Sequence, residues 1–407
     1  MLLKNCRFLI TQNAKRDILE NVDVLIEDDR IKAIGRNLGK LDKKHIDCSK
    51  KIVMPGLVNT HTHLGMHSLR GLCDDAELHD WLGIVTKAER KLTDKEVLAN
   101  TEAGLREAIR FGTTCVYDSY RLAEERARLF QKLGMRGCLS STIREKKDIA
   151  TAERFIKRMQ QEDASLLKPI VAAHAIFSTD EAILKSVIAL SEKYNVMRRL
   201  HVGETRKERF DIQQKTGKLP IEYLDSIGFL DGKTLLVHCI WLTKGEIRLI
   251  ARSKTKVSHN PISNMKLASG GVMPLVEMMQ EGVVVGLGTD SVVSNNNLDL
   301  FEELKVTPLL HKQHRWDPKV ITPQDVLDMA TINGARCLGF DDVGSIEPGK
   351  KADIIMIDLA PHLLPATTKN IISNIVYSAN GNDVCDSVID GKMVMRKKVI
   401  SPDQVRA

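Results

Sequence analysis

The chain has 407 residues, 43% of them hydrophobic and 28% charged, with a formal charge of +7. Such a chain can bury a large core and still carry a smaller second domain, and its composition excludes a disordered or low-complexity protein. Aromatic residues make up only 4%, and basic residues are interleaved with acidic ones, so there is neither a stacking platform nor a polybasic arm for nucleic acid.

In chain order, residues 2–10, 22–26 and 30–34 read as short strands, with Glu27, Asp28 and Asp29 as a polar break. A strand over 56–60 opens a different pattern: helix 94–111, strand 113–118, helix 122–133, strand 135–139. Strands at 169–174, 196–202, 234–238, 256–259 and 284–289 continue it, with helices at 179–193, 219–227 and 272–280 between them. Helices over 299–312 and 322–338 complete the outer layer. From 341 to 402 the chain is β-prone again, at 351–359, 375–378, 384–389 and 392–397. Eight strand–helix repeats fit a closed parallel barrel better than an open sheet, and no Gly-x-Gly-x-x-Gly follows a strand. The expected architecture is α/β: a TIM-like (β/α)8 barrel over 55–340, with a small β-sandwich domain built from 1–54 and 341–407. Neither terminal segment makes a satisfactory sheet alone, so the two are expected to pack together.

Several hydrophobic runs end in metal-binding residue types: His61 and His63, His201 followed by Glu204, His238, and Asp290. Residues two apart on a strand share a face, so His61 and His63 can point into one barrel mouth. Taken alone, that pair is equally well read as inert polar residues at a strand end. The recurrence of His and Asp at the same end of successive strands points instead to a metal centre. The same alternation turns Arg199 inward beside His201. A charge there is costly unless paired, which predicts a buried carboxylate partner or a later strand start.

Further motifs stand at 55–63, 201–204, 258–264 (Ser-His-Asn-Pro-Ile-Ser-Asn), 288–291, 294–299, 329–339 and 344–353. With these marks the chain resembles the amidohydrolase superfamily, in the branch of methylthioadenosine/S-adenosylhomocysteine deaminases, guanine deaminase and triazine hydrolases. The resemblance implies that His61, His63, His201 and Asp290 hold one divalent ion, most often zinc, with ferrous iron as the alternative. It implies that His238 stands beside the ion, that Asp290 takes a proton from the attacking water, and that Glu204 protonates the ring nitrogen and then the leaving amine. Trp81, Glu89, Arg136 and His174 match substrate-binding positions, Trp81 in a lid loop. Where relatives continue after the histidine with Ala or Ser, Pro and Tyr, this chain has Ala175, Ile176 and Phe177.

Expelling ammonia from an aromatic ring requires a proton donor, whereas expelling chloride does not, so Glu204 favours deamination. The implied enzyme is an aminohydrolase that converts an adenine nucleoside (methylthioadenosine, S-adenosylhomocysteine, adenosine or 5′-deoxyadenosine) to the inosine derivative and ammonia. The alternative is a free base such as guanine, or hydrolysis of another small nitrogen heterocycle. A homodimer or homotetramer is implied as well. Eight scattered cysteines without a CxxC pair and the lack of a long apolar run lead to the expectation of a cytoplasmic protein with no membrane partner.

Overall fold

The computed structural model describes residues 1–38, 45–162 and 166–400; the parts of the expected terminal domain at 39–44 and 401–407 lie outside them. Eight parallel strands follow one another around a barrel in sequence order: Leu57–Thr62, Thr113–Ser119, Arg136–Ser140, Leu167–Ala175, Met197–Val202, Thr234–His238, Lys256–His259 and Val285–Leu287. A short strand, Thr142–Ile143, pairs alongside Leu167–Ala175. The strands are buried along most of their length, because helices cover the outside and side chains fill the inside. This is the predicted barrel.

The barrel closes between its last and first strands through polar side chains as much as through backbone. Thr62 and Asp290 form a parallel bridge. Asn59 Nδ2 donates to Thr289 Oγ1 at 2.8 Å, and Asn59 Oδ1 accepts the Thr289 N–H at 3.1 Å. Thr60 Oγ1 donates to the Leu287 carbonyl at 2.8 Å. Gly288 lies at the same seam, where a Cβ would stand 2.4 Å from Asn260 Oδ1 and 2.8 Å from His61 Cβ. Only glycine lets the two strands approach this closely.

The outer helices form where apolar residues recur with helical spacing behind a capping residue. Helix Asp94–Arg110 is an example: Thr93 and Glu96 form a reciprocal capping box, and Val97, Thr101, Leu105, Ala108 and Ile109 are buried on one face. Val58, Cys115, Tyr117, Cys138, Ile170 and Leu235 from five barrel strands cluster with Ala335, Leu338 and Phe340. That cluster leaves the polar chemistry to the carboxyl ends of the strands.

The terminal segments make two sheets. A four-stranded one comprises Leu2–Cys6, Val22–Glu27, Arg30–Gly35 and His45–Asp47. A seven-stranded one interleaves Phe8–Ile10, Ile18–Leu19 and Lys51–Pro55 with Ile354–Asp358, Val384–Ile389, Lys392–Arg396 and Val399–Ile400. Leu3, Leu9, Val24 and Val53 pack with Ile354, Met356 and Val388 in one core. Two expectations change. Residues 375–378 are not a strand: Ile375 to Tyr377 end helix Ile371–Tyr377, which buries Ile371, Ile375 and Val376 on one face, and Ser378 is its C-cap; a short apolar run has no period that separates the two. The helix expected over 322–338 is two, Pro323–Ala330 and Ile332–Cys337, broken at Thr331 (φ −127°, ψ −95°). Gln12 Nε2 donates to the Thr331 hydroxyl at 2.9 Å, a contact between distant segments that no local propensity reveals.

Helix Leu300–Arg315 carries a buried carboxyl, Glu303, which accepts from Asn295 Nδ2 at 2.7 Å and from the Ile262 N–H at 3.3 Å. Burial pushes its pKa up to about 8 from 4.5. The folded state then holds the proton more tightly than the unfolded chain. The stability this contributes is complete below about pH 4.5 and is lost as pH rises through about 8. Glu303→Gln should escape that loss. Chemical denaturation at about pH 5 and about pH 9 should show the stability difference shifting toward the variant by roughly 2–5 kcal/mol. A difference independent of pH would show that Glu303 titrates normally.

Candidate active site

At the carboxyl end of the barrel the predicted ligands meet. Strand Leu57–Thr62 delivers His61, and His63 follows one residue past its end as the chain turns into the 3-10 segment Leu64–Leu69. The two imidazole centroids are 4.7 Å apart. His61 Nε2 lies 3.2 Å from His201 Nε2 and 3.2 Å from Asp290 Oδ1, and His63 Nε2 lies 3.5 Å from the same oxygen. A tetrahedral zinc site with arms of about 2.0–2.1 Å has donor–donor edges of about 3.3–3.4 Å. The donor set therefore fits one divalent cation in both chemistry and spacing.

The remaining ring atoms are already committed. His63 Nδ1 donates to the Ser119 carbonyl at 2.8 Å, and His201 Nδ1 donates to the His174 carbonyl at 2.5 Å. Each bond fixes the tautomer whose Nε2 keeps its lone pair for a metal. Burial first, and Arg199 second, hold His61 and His201 well below the usual imidazole range, so both are neutral donors. Asp290 Oδ2 accepts from Ser263 Oγ at 2.8 Å and Ser294 Oγ at 3.2 Å, which turns Oδ1 toward the histidines.

Asp290 and His238 both have left-handed backbone, with φ of 62° and 76°. Such conformations cost of order 1–3 kcal/mol each and persist where the surroundings enforce them. For Asp290 the enforcing contact includes its N–H, which donates to the His61 carbonyl at 2.9 Å.

Two carboxyl groups here have opposite protonation preferences. Burial, reinforced by Asp290 and Glu208, raises Glu204 well above the usual carboxylate range. At Asp290 burial pushes the same way, but the contacts with His61 and His63 outweigh it and hold the carboxyl well below that range. Divergent pKa values in one pocket are the mark of an acid and a base with separate tasks. Glu204 is positioned by Glu208, whose carboxylate accepts the Gly203 N–H at 2.6 Å and the Glu204 N–H at 3.3 Å.

His238 Nε2 stands 3.6 Å from Glu204 Oε2. Asn264 Nδ2 and Asn260 Nδ2 point at His238 Nδ1 from 3.0 and 3.3 Å. Both amides are donors, so Nδ1 accepts and the proton sits on Nε2, facing the pocket. Ser263, Ser294, Asn260, Asn264 and Glu208 are functional candidates that the sequence reading missed. The motif at 258–264 signals the region, but which atoms it holds depends on strands brought together only by folding.

The site opens into a cavity of about 400 Å³, within the roughly 300–1,000 Å³ of small-molecule sites. Its walls include Met66, Leu78, Val85 and Leu267, with Glu89, Arg121 and Arg144 as polar groups. Trp81 and His174 also line it. Trp81 is on helix Leu78–Glu89 rather than in a loop, and Glu89 is that helix's last residue.

Arg136 is not brought to the cavity. It is the first residue of its strand, at the opposite end of the barrel from the histidines, and is fully buried. Its guanidinium donates from Nε to Asp353 Oδ2 at 2.6 Å and from Nη2 to Asp390 Oδ1 at 2.7 Å. This ion pair joins barrel to sandwich, which corrects the substrate-binding assignment: the match in sequence carried no information about which end of the strand faces the ligand. Arg136→Met should cost about 3–5 kcal/mol by stranding Asp353 and leave KM of the folded enzyme unchanged. A KM raised at full stability would reverse the correction.

The model for the amidohydrolase family matches residues 52–394, most of the chain. The chain belongs to that family. This amidohydrolase is 40% identical over 404 residues to a 5-methylthioadenosine/S-adenosylhomocysteine deaminase of Thermococcus onnurineus, covering 97% of this chain and 94% of the relative. It is 38% identical over 392 residues to a 5′-deoxyadenosine deaminase of Methanosphaera stadtmanae, covering 94% and 91%. Among solved structures, an adenosine deaminase from Xanthomonas campestris with bound zinc superposes with a TM-score of 0.93 at 29% identity, covering 100% of this amidohydrolase and 97% of that chain.

Proposed function

We propose that this amidohydrolase is a metal-dependent deaminase of adenine nucleosides of the methylthioadenosine, S-adenosylhomocysteine or 5′-deoxyadenosine type, releasing the inosine derivative and ammonia. The observation that carries the reading is the buried Glu204, 3.6 Å from His238 Nε2 beside the His61, His63, His201 and Asp290 donors and raised above the usual carboxylate range by burial, in a chain 38–40% identical to adenine-nucleoside deaminases. His61, His63, His201 and Asp290 would hold the divalent ion, with zinc favoured by the nitrogen-rich donor set. When bound, such an ion lowers the pKa of a coordinated water to about 7 and so supplies a nucleophile at neutral pH.

The chain's own residues do the rest. Asp290, ionised at neutral pH, takes a proton from the water that attacks the amino-bearing carbon. Glu204 donates its proton to the adjacent ring nitrogen, so negative charge does not build up on the ring. His238 points its Nε2–H into the pocket and steadies the oxygen that is added. Glu204, now a carboxylate, takes the proton of the added hydroxyl as the ring carbonyl forms and passes it to the departing amine, and the proton held by Asp290 then returns to Glu204, so one water enters and one ammonia leaves.

Trp81 and His174 are assigned to contact with the base, and Glu89 to the ribose hydroxyls; all three line the cavity. The eight cysteines are all free, which supports a reducing compartment such as the cytoplasm. Among the described residues no helix is long and apolar enough to cross a membrane.

The deciding experiment is ammonia release by the zinc-loaded enzyme on adenosine, 5′-deoxyadenosine, methylthioadenosine, S-adenosylhomocysteine, adenine and guanine. Turnover of nucleosides well above adenine is expected. Activity confined to guanine would overturn the substrate assignment and retain the reaction type.

A further inference from the structure

Strand Met197–Val202 carries two arginines in sequence, and the fold treats them in opposite ways. Arg198 points to the helix layer, where Asp231, Ser191 and the Phe229 carbonyl satisfy its guanidinium at 2.9, 3.3 and 2.8 Å. Arg199 points into the barrel and is fully buried. No carboxylate among the described residues pairs with it, and its Nε has no partner. The buried acid expected from the sequence is not there.

The guanidinium instead meets the imidazoles. Arg199 Nη2 lies 3.2 Å from both His61 Nδ1 and His61 Nε2, and in short contact with His201 Nε2. Below it, the Tyr117 ring centroid is 5.9 Å from Arg199 Cζ, and Nη1 reaches the His174 carbonyl only at 3.5 Å. A positive charge thus sits on His201 Nε2 and against the His61 ring, where a divalent ion would bind. Arg199 has an aromatic surface beneath it and no carboxylate in ion-pair contact among the described residues; Asp290 and Glu204 act on it only through space.

We infer that Arg199 is an affinity-setting residue for the metal: its guanidinium competes for the His61 and His201 nitrogens and makes the ion weakly held and exchangeable. Two cations contend for one set of donors in a buried site, where charges are weakly screened. The alternative for a neutral side chain at this position is a tight, closed site. This inference rests on the metal-binding reading above.

The test is zinc affinity, read by competition with a chromophoric chelator and independent of turnover. Arg199→Met removes the charge at similar volume and should tighten zinc binding at least tenfold. Arg199→Lys keeps the charge and should stay within about threefold of the wild type. Unchanged or weaker binding by the Met variant overturns the inference, as does equal tightening by both variants, which would indicate crowding rather than charge. Wild-type protein that binds no zinc at all would refute the metal reading itself. Should Arg199→Met fail to fold, wild-type protein with ¹⁵N-labelled arginine answers the question. One guanidinium resonance, missing in Arg199→Lys, should shift on zinc addition, and its failure to move overturns the proposal.

Discussion

Glu204→Gln should lower kcat for ammonia release by about 10²–10⁴-fold, with zinc affinity unchanged. The glutamine has the shape of a carboxylic acid but no proton to give. Burial and the neighbouring carboxylates of Asp290 and Glu208 disfavour the charge on Glu204 and raise its pKa, and the substitution removes the acidic proton without creating a hole. Its amide should still sit 3–4 Å from His238 Nε2, as the carboxylate does at 3.6 Å. The loss should be confined to substrates whose leaving group needs protonation. An analogue with a halide in place of the amino group should retain most of its turnover. If amine and halide substrates fell together, Glu204 would be holding the ligand rather than supplying a proton.

Removing the divalent ion should abolish activity altogether, and one equivalent of zinc per chain should restore it. His63, His201 and Asp290 are oriented by hydrogen bonds to the atoms that face away from the site. A weaker version of the same test probes those bonds. Ser263→Ala deletes the 2.8 Å hydrogen bond to Asp290 Oδ2, and losing an outer partner of a ligand typically costs 10–100-fold in metal affinity or activity. Metal titration would separate the two, since Asp290 should remain a ligand but swing more freely. Full activity after exhaustive chelation would remove the metal from the account.

Much of the barrel was readable because its strands are continuous apolar runs punctuated by helices with caps of their own, and each boundary is a local event. The positions of His61, His63, His201, His238 and Asp290 at run ends were visible for the same reason. The terminal sheets were harder. Residues 375–378 carry apolar side chains but no period, and only the contact of Ile371, Ile375 and Val376 with the core shows a helix. Arg136 was misassigned because a strand's two ends look alike in sequence while facing different layers of the fold.

What the amino-acid order determined on its own was the alternation of strand and helix and the supply of metal-binding side chains at one end of it, since hydrophobic period and residue chemistry are local properties. What only the tertiary structure decided was which atoms those side chains present. Ser263 and Ser294 turn Asp290, Asn260 and Asn264 set the tautomer of His238, and Arg199 meets imidazoles rather than an acid. Each of these is a contact across the barrel between residues far apart in the chain. Its direction depends on strand register and loop conformation together, and neither is written in any one segment.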